Sequence, residues 1–236
     1  MSNTGNLFLI PTLIAAHTEH SVVPPGVKTR LVDIRHFLAE DIRTARRYLS
    51  ALKVYERIEL LSFSVLNKDT KEEDLPALFS PVFGGNHLGV LSESGCPGIA
   101  DPGAIAVKFA HQRGIRVVPM VGPSSVFLSL MASGLNGQHF AFQGYLPIQS
   151  ADVARAIREH ERESRAKNQT QIFIETPYRN NSLLANLLKH LMPETRLCLA
   201  VDLTGENEFI LTQSVQDWRR NAPTLPKIPA VFLFLA

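Results

Sequence analysis

The first half of the chain alternates short, nearly continuous apolar runs with segments of helical period, and turn residues separate them. Leu7 to Ile10 is closed by Pro11 and reads as a buried strand. His36 to Glu40 reads as a second strand, after which Ile42, Ala45, Leu49 and Leu52 recur on one helix face while Arg43, Arg46 and Arg47 occupy another. Ile58 to Phe63 predicts a third strand, Glu72 to Phe83 a helix, and His87 to Leu91 a fourth strand. Ser92 to Gly103 is too rich in Gly and Pro to be regular. A helix then runs to about Gln112, Gly114 punctuates it, and Ile115 to Pro119 predicts a further strand. Near-continuous apolar strands alternating with helices argue for a parallel sheet covered on both faces.

The second half has a different rhythm. A boundary near Val121-Gly-Pro-Ser divides the chain into residues 1–120 and 121–236. Ser124 reads as the cap of a helix that is apolar nearly all round through Met131, and such a helix is expected to be buried. Phe140 to Leu146 predicts a strand, Asp152 to Lys167 a charged helix, Gln171 to Glu175 a strand and Arg179 to Leu191 a helix. Arg196 to Leu203 is followed after a short turn by Glu208 to Val215, which suggests a hairpin, and Ala230 to Leu235 is a last apolar strand. Hairpins beside helices imply a mixed sheet. The expected fold class is α/β, with two α/β domains, the first mainly parallel and the second mixed; no repeat is found.

Composition narrows the function more by exclusion than by suggestion. With 45% hydrophobic and 19% charged residues among 236, the chain is an ordinary globular protein. Lys plus Arg number 24 against 22 Asp plus Glu, so any RNA contact must come from a local patch. Cys96 and Cys198 have neither metal spacing nor a disulfide framework, which suits a reduced, cytoplasmic protein. The start, Met1-Ser-Asn-Thr-Gly-Asn, lacks a secretory pattern, and no apolar run approaches the roughly 20 residues of a membrane helix. No G-x-G-x-x-G follows a strand, and no Walker loop, G-x-S-x-G or H-E-x-x-H occurs. His17 and His20 form a weak pair without a third ligand, so no metal is expected.

Two segments carry candidate chemistry. A Gly- and Pro-rich loop at the carboxyl end of a buried strand is where open α/β sheets bind ligands, and it suits a tight structural crossover equally well. Arg155, Arg158, Arg162 and Arg165 fall on one helix face and could track an RNA backbone. Glu159, Glu161 and Glu163 interleave with them, and that patterning favours an ion-paired, solvated face.

Glu93-Ser-Gly-Cys-Pro-Gly-Ile-Ala-Asp-Pro-Gly103 resembles the D-A-G-T-P-x-I-S-D-P-G signature of the ribosomal RNA ribose-methyltransferase branch of the tetrapyrrole methylase family. Ala39-Glu-Asp-Ile-Arg43 resembles that branch's A-E-D-T-R, and Val121-Gly-Pro-Ser-Ser125 its P-G-P-S-A. Gly144-Tyr-Leu-Pro147 is similar to G-F-L-P, Glu175-Thr-Pro-Tyr-Arg179 to E-S-P-H-R, and Asp202-Leu-Thr-Gly-Glu-Asn-Glu208 to E-L-T-K-x-x-E-E. The resemblance departs at the first loop, Ile10-Pro-Thr-Leu-Ile-Ala-Ala16 in place of G-T-P-x-G-N-L, and at the end, where the ribosomal enzymes' RNA-holding extension is not seen after Ala236.

The resemblance implies S-adenosyl-L-methionine bound in a cleft between the two domains, and a homodimer. It places cofactor contacts at Pro11, at Ser94, Gly95, Cys96 and Ile99, at Ser124 and Ser125, and at Thr176, Leu203 and Ala230. Methyl transfer from a sulfonium is a direct displacement, so alignment is the main task, and a base helps a ribose hydroxyl attack. The acceptor-side candidates are Glu40, Asp41, Arg43, Glu175, Arg179, Glu206 and Glu208. Asp41 would act as base or orienter and Arg43 would hold a phosphate, with Arg179 a second anion contact and Glu175 orienting the acceptor. Alternatively Asp41 caps the helix beginning at Ile42 and Arg43 pairs on its surface. The leading expectation is 2′-O-methylation of a ribose in small-subunit rRNA. The alternatives are methylation of a tetrapyrrole-like small molecule and a non-catalytic, cofactor-binding dimer.

Overall fold

The computed structural model describes residues 4–236 and divides into two compact units, the second spanning Ser125–Ala236. In the first unit β1 (Leu7–Ile10), α1 (Glu19–Val22), α2 (Pro25–Leu31), β2 (His36–Ala39) and α3 (Ile42–Ala51) come first. They are followed by β3 (Ser62–Val65), α4 (Leu75–Leu78), α5 (Ser80–Phe83), β4 (Leu88–Leu91), α6 (Gly103–Gln112) and β5 (Val117–Pro119). The five strands are all parallel, in the order β3-β2-β4-β1-β5.

Alternation along each strand sorts the side chains onto two faces. Phe8, Ile10, Phe37, Ala39 and Leu91 pack with Val27 and Leu31 of α2 and Ala45, Tyr48 and Leu49 of α3. Leu7, Leu38, Leu88 and Val90 face the other way, toward Leu75, Phe79, Val82, Ala106, Phe109 and Ala110. Both faces are therefore dry, which is why β4 is buried at every position. The chain leaves β1 for α1 and α2 on the first face and leaves β4 for α6 on the second, although β1 and β4 are neighbours. Such a reversal opens a crevice at the carboxyl ends of the two strands.

Three expectations for this unit change. The third strand is Ser62–Val65 and not Ile58–Phe63, because Ile58–Leu60 forms a turn of 3-10 helix. As an edge strand β3 needs one good apolar contact, which Phe63 supplies by stacking on Phe37 at 5.4 Å between ring centroids. The single helix over Glu72–Phe83 is a 3-10 turn and two short helices, because Pro76 and Pro81 each occupy a first turn, where proline starts a helix. Helices α1 and α2, between β1 and β2, had no counterpart in the sequence reading.

The second unit runs α7 (Ser125–Ser133), β6 (Phe140–Gly144), α8 (Ser150–Lys167), β7 (Thr170–Glu175) and α9 (Asn180–His190). After these come β8 (Arg196–Val201), β9 (Phe209–Ser214), α10 (Val215–Arg220) and β10 (Ala230–Leu235). Its sheet is mixed, ordered β6-β7-β10-β8-β9, with only the β6–β7 pair parallel and β8–β9 forming the expected hairpin. Phe173, Leu197, Leu199, Phe232 and Phe234 share one core with α8, α9 and Trp218 of α10, whose indole N–H donates to the Leu197 carbonyl at 2.8 Å. Helix α10 replaces the expected end of the strand at Val215, because the Ser214 hydroxyl accepts from the Asp217 amide and starts a helix there. Helix α7 is not buried all round: Val126, Ser129 and Leu130 face inward, whereas Phe127 and Met131 are 50% and 78% exposed. The division after Ser124, and not after residue 120, follows from packing: Gly122 lies against Pro11, and Gly122 and Pro123 accept from the Cys96 thiol.

Gly89 shows how tightly the first sheet closes. A Cβ there would lie 2.4 Å from Ile10 Cδ1 and 3.0 Å from Phe37 Cδ1. Gly89→Ala is expected to cost about 1–3 kcal/mol by overpacking, read as a lower urea midpoint with an unchanged slope.

Candidate functional site

The carboxyl ends of β2, β4 and β1 lie in one row, with Ala39 paired to Leu91 and Leu91 to Ile10. Three chain segments that continue past this row are bonded to one another. The Thr12 amide donates to the Gly95 carbonyl at 2.8 Å, and the Ser92 hydroxyl reaches the same carbonyl at 3.0 Å. The buried Pro11 carbonyl accepts from Tyr48 of α3 at 2.7 Å, and Gly122 sits so close to the Pro11 ring that a Cβ would fall 2.1 Å from it. Burial keeps the Tyr48 phenol protonated by raising its pKa well above the usual value, so it remains a donor.

Within the loop, Gly95 and Gly98 take left-handed conformations at φ +72° and +84°. A side chain at 95 would be strained and would press on Ile14 and on the Pro123 carbonyl, each at 3.3 Å. Cys96 donates to that carbonyl at 3.3 Å, and desolvation, with Asp101 nearby, raises the thiol's pKa and keeps the proton in place. Glu93, Ser94, Ile99 and Ala100 are exposed, so the loop presents backbone and small stretches of side chain to solvent around a buried Gly95.

Asp101 holds the second half of the loop. Its Oδ1 accepts from the Gly98 amide at 2.6 Å and the Gly103 amide at 2.8 Å, while Oδ2 is buried without a partner. Burial raises its pKa against the pull of the two amides. The sequence reading gave Asp101 no role; an Asp flanked by glycines and followed by Pro was the available signal for a side chain closing a turn.

Of the catalytic candidates in this unit, Asp41 caps α3: its Oδ1 accepts from the Thr44 amide at 2.7 Å, and that bond holds its carboxyl below the usual range. Arg43 is exposed on the first turn of the same helix. Glu93 was overlooked. Its Oε1 accepts from the Asp41 amide at 3.3 Å, and desolvation, with the nearby charges of Asp41 and Glu40, raises its pKa. An acid two residues past an apolar strand, at the start of the Gly- and Pro-rich loop, was its signal.

In the second unit the remaining candidates gather at one end of the mixed sheet. Ala230 pairs with Glu175 on one side and Val201 on the other, and the Asp202 amide donates to the Pro229 carbonyl at 3.0 Å. Glu175 is buried; one oxygen accepts from the Thr176 amide at 2.8 Å and the other meets Arg179 at 3.1 Å. Leu203 is buried between Asp202 and Thr204, both at positive φ, and the Thr204 hydroxyl is buried without a partner. Glu208 accepts from the Thr204 amide at 2.7 Å. Thr176 is exposed, Ser124 is half-buried, and Ser125 begins α7. Among the described residues no group of three or more His, Cys, Asp or Glu side chains could hold a metal, and no helix is long and apolar enough to cross a membrane.

No family model matches the chain. It is 28% identical over 221 residues to Ribosomal RNA small subunit methyltransferase I of Halalkalibacterium halodurans, covering 92% of this chain and 72% of that protein. The namesake proteins of Xylella fastidiosa and Pasteurella multocida are 32% and 29% identical, over 79% and 72% of this chain and 64% and 66% of their own lengths. These alignments span about two thirds of the relatives' length. Among solved structures, the methyltransferase CobJ aligns with a TM-score of 0.63 at 15% identity, over 98% of this chain and 94% of that one. Uroporphyrin-III C-methyl transferase from Thermus thermophilus, complexed with S-adenyl homocysteine, aligns at 0.56 and 15%, over 98% and 97%. At such identity the likeness establishes the fold.

Asp101 yields a test of the loop. Asp101→Ala removes the acceptor for two amides and is expected to cost about 2 kcal/mol, whereas Asp101→Asn keeps an oxygen for both. The folded carboxyl's pKa is raised, so its contribution is fully present below the unfolded value of 3.8 and is lost as pH rises through the folded value. Urea denaturation across pH should therefore show wild type losing stability relative to Asp101→Asn over that rise.

Proposed function

The chain belongs to the tetrapyrrole methylase family, and from that premise we propose that it transfers the methyl group of S-adenosylmethionine to a ribose 2′-hydroxyl of small-subunit rRNA. The observation that carries the reading is the loop after β4, bonded through Gly95 to the end of β1 in a left-handed conformation that strains any side chain and would press its Cβ on Ile14 and the Pro123 carbonyl. The residues suit the cofactor. Pro11, Ser94, Gly95, Cys96, Ile99 and Ser124 offer a small-residue, backbone-rich cradle in the first unit. Ser125, Thr176, Leu203 and Ala230 are the second unit's own candidates for cofactor contact, beside a buried Thr204 hydroxyl without a hydrogen-bond partner. When bound, the sulfonium supplies an electrophilic methyl carbon and a neutral thioether leaving group.

The chain's own residues then have three tasks. The loop backbone orients, and Arg43 and Arg179 are the cations available to a phosphate of the acceptor strand. Glu175, locked by the Thr176 amide and Arg179, is an acceptor fixed in one orientation. The proton of the attacking hydroxyl is better taken by Glu93 than by Asp41. The cap bond makes Asp41 a weak base, whereas partial desolvation and the neighbouring charges of Asp41 and Glu40 make the exposed Glu93 a stronger one. A cytoplasmic location and a homodimer belong to the same proposal; the exposed Phe127 and Met131 on α7 are an apolar surface that a second copy would cover.

The reading is tested by calorimetry with S-adenosylmethionine and by mapping ribose methylation in small-subunit rRNA from a strain lacking the gene. Micromolar binding, roughly 8 kcal/mol, abolished by Gly95→Val, and loss of one ribose methylation are expected; an unchanged ribose pattern would overturn it. For Glu93→Gln we expect kcat to fall by about 10²-fold with cofactor affinity retained. The wild-type rate should rise with pH through a pKa above the usual carboxylate value of 4.5, and the variant should lack that limb.

A further inference from the structure

Helix α8 carries four arginines on one face, and its interleaved glutamates were expected to neutralise them. The structure pairs none of those carboxylates with the four arginines. Glu161 is buried, where one oxygen accepts from the Met192 amide at 2.8 Å and the Thr195 hydroxyl at 2.5 Å. Glu163 pairs with Lys167, and Glu159 has no ion pair among the described residues. Arg155 pairs with Asp152, and Arg165 meets Glu194 only at 3.7 Å, both side chains more than half exposed. Such an exposed contact is worth little and is screened by salt. Arg158 and Arg162 have no carboxylate partner among the described residues.

These three arginines, 158, 162 and 165, line one open cavity of about 530 Å³ with Glu161, Ala166, His190 and Met192. Spaced by four and three residues, they spread their charge over about 10 Å of helix. The apolar floor comes from Ala166 and Met192, and the one acid, Glu161, is already engaged by its amide and hydroxyl. Desolvation, then the charges of Lys189 and Arg158, hold the His190 imidazole below its usual pKa.

We propose that this groove between α8 and the end of α9 is a docking site for the phosphodiester backbone of RNA. Three cations on one rigid face, none of them within ion-pair distance of Glu159, Glu161 or Glu163, match a run of phosphates. Little in the groove would read base edges, so it would contribute affinity and register and leave sequence to the reacting end of the unit. The inference rests on the proposed rRNA reading for the identity of the polyanion, and it adds an RNA contact on α8 and α9.

The experiment is fluorescence anisotropy of a short labelled oligouridine, titrated from roughly 50 to 200 mM salt. It compares the wild type with a triple variant, Arg158→Ala, Arg162→Ala and Arg165→Ala, all exposed positions. The triple variant is expected to bind about tenfold or more weakly at the lower salt, with a log–log salt slope shallower by about 2. Its calorimetric affinity for S-adenosylmethionine should be unchanged, which also reports an intact fold. Arg155→Ala, whose partner is Asp152, should bind within about twofold of wild type. Unchanged affinity and slope in the triple variant, an equal loss in Arg155→Ala, or no RNA binding by the wild type would each overturn the groove. An unmethylated rRNA pattern that persists with the wild-type gene would overturn the functional reading alone, since the salt slope does not depend on it.

Discussion

The hydrogen bond from the Thr12 amide to the Gly95 carbonyl joins the ends of two adjacent parallel strands whose onward paths diverge to opposite faces of the sheet. That divergence leaves backbone amides and carbonyls at the carboxyl edge without sheet partners, and buried unpaired groups of this kind are costly. The loop resolves the conflict by folding back on β1, and only a left-handed residue lets it do so within that space. Gly95 meets the requirement because a Cβ would press on both Ile14 and Pro123. The close approach of Gly122 to Pro11 and the Cys96 bond to Pro123 then tie the end of the unit to the same point.

The same knot explains why so much of the candidate cofactor surface is backbone. A loop made rigid by internal bonds presents amides and carbonyls in fixed directions, and a ligand read by such groups is insensitive to the side chain above them. Cys96 illustrates this. Its side chain turns toward Pro123, so its contribution to a ligand would come from the main chain. Asp101 extends the principle, since one carboxylate oxygen fixes two amides that would otherwise move. Its other oxygen is buried without a partner, so the loop's order is maintained at a local electrostatic cost.

How far the sequence could be read follows from the same physics. Strands buried on both faces are continuous apolar runs, so β1, β2, β4, β7, β8 and β10 were legible at once. Edge strand β3 was not, because Ser62 and Ser64 need only backbone partners and the stronger apolar run lay just before it. Helix α7 misled in the opposite sense: nearly uniform apolarity indicated burial, yet Phe127 and Met131 are exposed. At the candidate site, the Gly and Pro punctuation marked an irregular loop after β4, which the structure has, while the roles of its side chains were not legible. Asp41 and Glu93 are both exposed acids beside strand ends, and only the Thr44 amide bond on one and the partial desolvation and neighbouring charges around the other separate a weak base from a stronger one.

The charged helix α8 marks the limit of pattern reading most clearly. Alternating Arg and Glu along one stretch predicts mutual neutralisation if every side chain stays on the surface. Tertiary structure withdraws Glu161 from that balance, because the turn after α9 needs an acceptor for the Met192 amide and the Thr195 hydroxyl, and Glu161 is the carboxylate within reach. A fold-stabilising demand on one residue thereby leaves its neighbours unbalanced. Net charge near zero for the whole chain is thus compatible with a strongly positive local surface, because what a polyanion meets is the set of cations left after the carboxylates have been engaged.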